Sequence, residues 1–164
     1  MAGTGQISVF ASKDLQTLLQ ALKQTEPEIR KQINKQTRTM ALPVWKEATA
    51  GNANTRYEAG LARTAKVGVT AQNVFLRAGS TGKIGNVGAD IIARPIEFGA
   101  KREEYRYVKG KRGYYKRRTM RQFRLPRPRG YVIYPAAANV IPRIASLWVQ
   151  TSIRTIAEQI EKGA

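Results

Sequence analysis

The chain contains no cysteine and no histidine. Without cysteine there is no disulfide framework, no zinc–thiolate site and no thiol nucleophile, and the composition fits a reducing cytosol. Without histidine, the commonest general acid/base near neutral pH and the commonest transition-metal ligand are missing. Acids are scarce: Asp and Glu number 11, and only Asp14 and Asp90 are aspartates, with no D-x-D pair. An enzyme is therefore not expected, nor a metal or an organic cofactor. No stretch reaches the roughly 18 apolar residues that a membrane span needs. The opening MAGTGQISVFASKDLQ lacks a basic segment followed by an apolar one, so no signal peptide is expected.

Positive charge dominates what is present. Lys and Arg number 29 against 11 acids, a formal charge of +18 over 164 residues. That length fits one domain of the common size, about 100–200 residues. A charge this large calls for a polyanion, an acidic protein surface or an assembly that neutralises it. It is also concentrated. Residues 101–129 hold 13 cations (Lys101, Arg102, Arg106, Lys109, Lys111, Arg112, Lys116, Arg117, Arg118, Arg121, Arg124, Arg127 and Arg129) against Glu103 and Glu104, a net +11. Tyr105, Tyr107, Tyr114, Tyr115 and Phe123 are interleaved among them. The segment reads as an arm or long loop outside the core.

Residues 6–10 alternate polar and apolar and predict a short strand. Ser12 is placed to cap a helix carrying Leu15, Leu18, Leu19 and Leu22, with Asp14 in its first turn. Thr25, Pro27 and Glu28 mark a second helix start. From there Ile29, Ile33, Thr37, Met40, Val44 and Ala48 share one face, with Arg30, Lys31, Lys35 and Arg38 mostly off it. Pro43 predicts a kink or end near Met40, resumption at Val44-Trp45 and closure at Gly51-Asn52. Residues 52–63 read as a polar loop with room for one helical turn. Residues 64–70 and 74–78 read as a hairpin, with Asn73 tolerating positive φ in the turn. Residues 79–88 read as a flexible loop and 89–98 as a short helix capped by Gly99. Residues 131–134 read as a last strand, and Asn139 as the cap of a final helix holding Ile141, Ile144, Trp148, Ile153, Ile156 and Ile160, with Pro142 in its first turn.

Several constellations have an ordinary explanation. Gly79-Ser80-Thr81-Gly82-Lys83-Ile84 has two residues between its glycines and Ile after its lysine, whereas a nucleotide loop has four and a Ser or Thr; it reads as a connector. No lysine stands out as a base for a serine. Trp45 and Trp148 fall on the two long helical patterns and read as packing residues. Glu97 has no catalytic partner and reads as a helix-terminal or interface residue. In the arm, Arg106, Lys109, Lys111, Arg112, Tyr114, Tyr115, Lys116, Arg117, Arg118, Arg121 and Arg124 are the candidate contacts. They suit nucleic-acid phosphates and bases or an acidic face of a neighbouring subunit. No sequence-reading nucleic-acid motif accompanies them.

The order of elements, with Ala93-Arg94-Pro95-Ile96-Glu97-Phe98-Gly99 in the middle, resembles the tail-component family of tailed bacteriophages typified by gene product 10 of phage HK97. Ala93, Arg94, Ile96, Glu97, Phe98 and Gly99 match that family's mid-chain segment. Tyr134-Pro135-Ala136-Ala137 and Pro43-Val44-Trp45-Lys46-Glu47-Ala48 are similar to two further signatures, while Arg63-Thr64-Ala65 departs from the family's Arg-Thr-Gly. The resemblance spans residues 12–161. It implies an α+β fold, a small β-sheet packed by a long N-terminal helix and a C-terminal amphipathic helix, in one domain over 1–164 with 101–129 as an inserted basic arm. It implies a virion neck protein, a tail-completion or tail-terminator ring, usually hexameric, assembled in the host cytoplasm. The partners it implies are the head connector and the tail tube, with DNA passing through the lumen and no membrane. Inter-subunit or inter-ring contact is the favoured role for the arm and lumenal DNA contact its rival. A nonspecific nucleic-acid-binding protein is the alternative function.

Overall fold

The computed structural model describes residues 17, 20, 26–70, 73–101, 105–118 and 122–163. The expected strand at 6–10, the Ser12 cap with Asp14, the leucine face of Leu15, Leu18, Leu19 and Leu22, and the Thr25 cap lie outside the described residues; Thr17 and Gln20 are helical and exposed. The elements are α1 (Pro27–Gly51), α2 (Arg56–Arg63), β1 (Lys66–Val69), β2 (Val74–Arg77), β3 (Lys83–Ile84), β4 (Val87–Gly88), α3 (Ala89–Phe98), β5 (Tyr105–Gly110), β6 (Gly113–Arg118) and α4 (Ile133–Gly163). The fold is α+β, with antiparallel pairs β1–β2, β3–β4 and β5–β6 beside the helices.

Helix α1 starts as its sequence dictates, with Pro27 in the first turn and Glu28 against the helix dipole, and Glu26 at the N-cap position. It does not end at Met40 but runs on through Pro43 to Gly51. Pro43 removes one N–H, and the carbonyl it leaves open belongs to Thr39; both residues are exposed, so water takes the orphan. Its buried face is Ile33, Thr37, Ala41, Trp45 and Thr49, each four residues from the last, the ridge along which a second helix packs. Met40, expected inside, is on the rim at 40% exposure.

That second helix is α4, and it runs antiparallel to α1. Gln159 Nε2 donates to Gln32 Oε1 at 3.5 Å, Thr155 Oγ1 to Gln36 Oε1 at 3.0 Å, and at the other end Asn52 Nδ2 donates to Val132 O at 3.4 Å. Residues 131–134 are not a strand. They lead into α4, whose first turn includes Pro135, and Asn139 is an exposed residue inside the helix rather than its cap. Pro142 therefore sits in the helix interior, on its exposed side. The face buried by α4 runs through Ala136, Val140, Ile144, Trp148, Thr151, Ser152 and Thr155. Ile153 and Ile160 point away, at 57% and 68% exposure, because five and twelve residues past Trp148 are about 140° and about 120° round a helix. Three polar residues fit this core by bonding their own helix. Thr49, Thr151 and Ser152 donate to the carbonyls of Trp45, Leu147 and Trp148, at 3.0, 2.7 and 2.8 Å.

The β1–β2 hairpin lies on this pair, with Val67, Val74 and Leu76 against Trp45. Its register is Lys66↔Arg77 through Val69↔Val74, and Trp45 Nε1 donates to Arg77 O at 3.3 Å. Asn73 does not take positive φ; among the described residues only glycines do. A second core gathers Leu61, Ile84, Ala89, Ile96 and Phe123, and Ile133 packs against both. Two expected loops are ordered into this second core. Residues 56–63 form α2, and residues 83–88 form the β3–β4 hairpin that buries Ile84. No helix among the described residues is long and apolar enough to cross a membrane.

Candidate assembly interface

Helix α2 exists because Thr55-Arg56-Tyr57-Glu58 is a complete capping box. Thr55 Oγ1 accepts from Glu58 N at 3.2 Å, and Glu58 Oε2 accepts from Thr55 N at 3.1 Å and Asn54 N at 2.8 Å. Glu58 is buried, and its other oxygen accepts from Arg124 Nη1 at 3.4 Å. Thr55→Ala is expected to cost about 1 kcal/mol, read as a lower urea midpoint at unchanged m.

Helix α3 contributes a second buried carboxylate. Glu97 Oε2 accepts from Val132 N at 3.1 Å and Ile133 N at 2.9 Å, and Oε1 accepts from Tyr134 N at 2.9 Å. These are orphan donors at the start of α4, where an anion also meets the positive end of the helix dipole. Glu97 thus has a helix-terminal role, on α4 rather than on its own helix. The remaining residues of the 93–99 segment serve the same junction. Ile96 is in the second core, and the Phe98 ring meets Tyr134 edge-on at 5.2 Å. Ala93 lies so close to Gly79 that a side chain there would strike it. Gly99 turns at φ 74° beneath the backbone of Arg124 and Leu125. Arg94 is exposed and makes no ion pair among the described residues.

The basic segment leaves and re-enters the body through this junction. Ala100 N donates to Arg124 O at 2.9 Å, Arg127 N to Phe98 O at 2.8 Å, and Tyr131 N to Glu97 O at 2.9 Å. The segment is therefore not uniform. Phe123 is a core residue beside Tyr57, with ring centroids 6.0 Å apart. Arg124 is held on the body by Glu58 and by the Tyr131 ring, 4.0 Å from its guanidinium carbon. The expectation that all of 101–129 stands outside the core is corrected at Phe123, which is buried in the second core; residues 124–129 are exposed but are tied back to the body by the backbone bonds at Arg124 and Arg127.

Residues 105–118 form a two-stranded ribbon, β5–β6, in register from Tyr105↔Arg118 to Gly110↔Gly113. Gly113 takes φ 117° at the tip, so Lys111 and Arg112 turn the corner at ordinary φ. Opposite residues in a ladder share a face, and so do alternate ones. Tyr107 with Lys116 and Lys109 with Tyr114 thus make one face a checkerboard of rings and cations. The other face carries Tyr115, whose ring lies across Gly110. Every described side chain from Tyr107 to Lys116 is exposed, Tyr107 at 73% and Tyr114 at 72%. Arg106 and Arg117 face each other across the ladder, and Arg118 stands opposite Tyr105; Arg121 lies outside the described residues.

Of the candidate contacts, the structure thus gathers Arg106, Lys109, Lys111, Arg112, Tyr114, Tyr115, Lys116, Arg117 and Arg118 on one ribbon and separates Arg124 from them. The sequence reading missed the anchoring carboxylate of Glu58, although Thr55 three residues before it is the signal that finds it. Compared with protein-family models, curated proteins and solved structures, the chain matches none.

Proposed function

We propose that the chain is a structural virion protein of a long-tailed bacteriophage, forming a ring at the head–tail junction that completes or terminates the tail and joins it to the head connector. The observation that carries this reading is the ribbon. A lone two-stranded hairpin is marginal in water, and this one exposes aromatic rings and cations, while Ala100 and Arg124 on either side of it are bonded to each other in the body. Such a device gains stability by lying on another surface, with tyrosines and arginines as anchors. A ring supplies that surface, because each subunit offers one face to the next. The element order and the Ala93–Gly99 segment support the same reading. In it, that segment fixes where the ribbon starts.

The test is light scattering on a sizing column with nuclease-treated protein at two salt concentrations, with peak fractions viewed by negative stain. The full chain is expected to give closed rings of uniform size. Replacing residues 105–118 by two glycines is expected to leave a folded monomer, because the Ala100–Arg124 bond and the Phe123 packing stay intact. A cut that runs on to residue 128 removes those anchors and does not isolate the ribbon. Rings that persist without the ribbon count against its role. A wild-type monomer whose one activity is salt-sensitive DNA binding moves the reading to a nonspecific nucleic-acid-binding protein.

A further inference from the structure

Outside 101–129 the chain carries 16 cations and 9 acids. Seven of those cations line two adjoining grooves of the body. The first, about 1010 Å³, runs between α2 and the β3–β4 loop, with Arg56, Arg63 and Lys83 on its walls. The second, about 510 Å³, runs between α1 and the β1–β2 hairpin, with Lys35, Arg38 and Arg77 on its walls. Lys66 and Thr81 line both, so the grooves are continuous, and Lys66 Nζ donates to Thr81 Oγ1 at 2.7 Å where they meet. All seven cations are exposed.

No acid is among the lining residues of either groove, and no residue of the ribbon is. Among the described residues, the ion pairs lie elsewhere, at Glu28–Lys31, Glu58–Arg124 and Glu158–Arg154, and none of the seven takes part. Like charges gathered without counter-charge repel, so the arrangement costs stability until an anion occupies it. The lining also decides the kind of anion. Protein hot spots are built on buried aromatic anchors, and single-stranded nucleic acid is held by rows of stacking rings. Here Tyr57 is the one aromatic among the lining residues of either groove. A continuous row of point charges and a hydroxyl along an open groove instead matches regularly spaced phosphates, contacted without reading bases.

We propose that the two grooves form one track for the phosphodiester backbone of duplex nucleic acid, independent of the ribbon and of the ring reading. The experiment is fluorescence anisotropy of a labelled random-sequence DNA duplex with the full chain over a salt series. The wild type is expected to bind with log K falling linearly in log salt. Arg63→Gln/Lys66→Gln/Arg77→Gln is expected to weaken binding by at least about tenfold near 0.1 M salt and to flatten the slope by about 2–3. Lys46→Gln/Arg94→Gln/Arg143→Gln removes the same charge from exposed sites outside the grooves, and is expected to stay within about twofold of wild type. Arg63→Lys/Lys66→Arg/Arg77→Lys is expected to keep the affinity. Lys35→Gln/Arg38→Gln, two exposed changes on α1, checks the second groove without touching a hairpin, and is expected to lose several-fold. Equal losses in the groove and control triples overturn the proposal, since net charge alone then sets affinity. Displacement of the duplex by polyglutamate at equal charge also overturns it, because the track is then a general polyacid surface.

Discussion

Glu97→Ala is expected to destabilise the fold by about 3–5 kcal/mol, a loss at the top of the usual range for one substitution. Three donors at the start of α4 lose their acceptor, and they are not equivalent. Val132 is fully buried, so its N–H has no water to turn to, whereas Ile133 is half-buried and Tyr134 exposed. A buried unpaired donor costs about 1–3 kcal/mol, and hydrogen bonds to a charged acceptor are each worth about 1.5–3. Loss of the anion from the helix start adds about 0.3–1. For a domain of this size the melting temperature falls by roughly 6–20 °C. Glu97→Gln keeps the shape but turns one acceptor into a donor facing an N–H, and is expected to cost about 1–3 kcal/mol. Urea denaturation followed by circular dichroism measures both. A loss below about 1 kcal/mol for Glu97→Ala shows that water already serves these amides.

The helical frame was legible in the sequence because it rests on periodicity. Pro27 and Glu28 place the start of α1, and the spacing of Ile144 and Trp148 places the core of α4. Both tryptophans read as packing residues are buried. One error comes from an element whose local preference is set by a distant partner. Tyr131-Val132-Ile133-Tyr134 has strand composition, yet its amides are claimed by Glu97, 35 residues or more away, and a chain so capped turns into a helix. Pro43 reads as an interruption and Pro142 as a first-turn residue, yet both sit inside helices, each on an exposed side where the freed carbonyl can reach water. The loop at 52–63 was misread for a different reason. Its capping box is local and visible, and the polar composition hid it.

The candidate interface was legible as charge but not as shape. Composition marks 101–129 without showing that residues 105–118 pair into a ribbon while Phe123 and Arg124 return to the body. The groove cations were less visible still. Lys35, Arg38, Arg56, Arg63, Lys66, Arg77 and Lys83 are spread over 49 positions of the sequence, and the fold brings them to one surface.

Gly99→Ala is expected to cost at least about 4 kcal/mol, and to do so by opening the stem of the ribbon. Gly99 sits at φ 74°, ψ −179°, a region that residues with a Cβ essentially do not occupy, worth about 1–3 kcal/mol alone. A Cβ there also collides with the carbonyl oxygens of Arg124 and Leu125. These are working acceptors: Arg124 O takes the Ala100 N–H at 2.9 Å and Leu125 O takes the Tyr131 hydroxyl at 2.8 Å. Relieving the clash moves backbone that closes the stem, so both bonds are lost with it. Glu97→Ala strikes the same attachment from α3. The double variant is therefore expected to cost less than the sum of the two, by about 0.5–3 kcal/mol. Hydrogen exchange at the amides of Ala100, Val132 and Ile133 separates the two effects. Gly99→Ala should expose the Ala100 amide to exchange, while Glu97→Ala should act first on Val132 and Ile133. Additive losses with an unchanged Ala100 amide would show that the stem does not depend on Gly99.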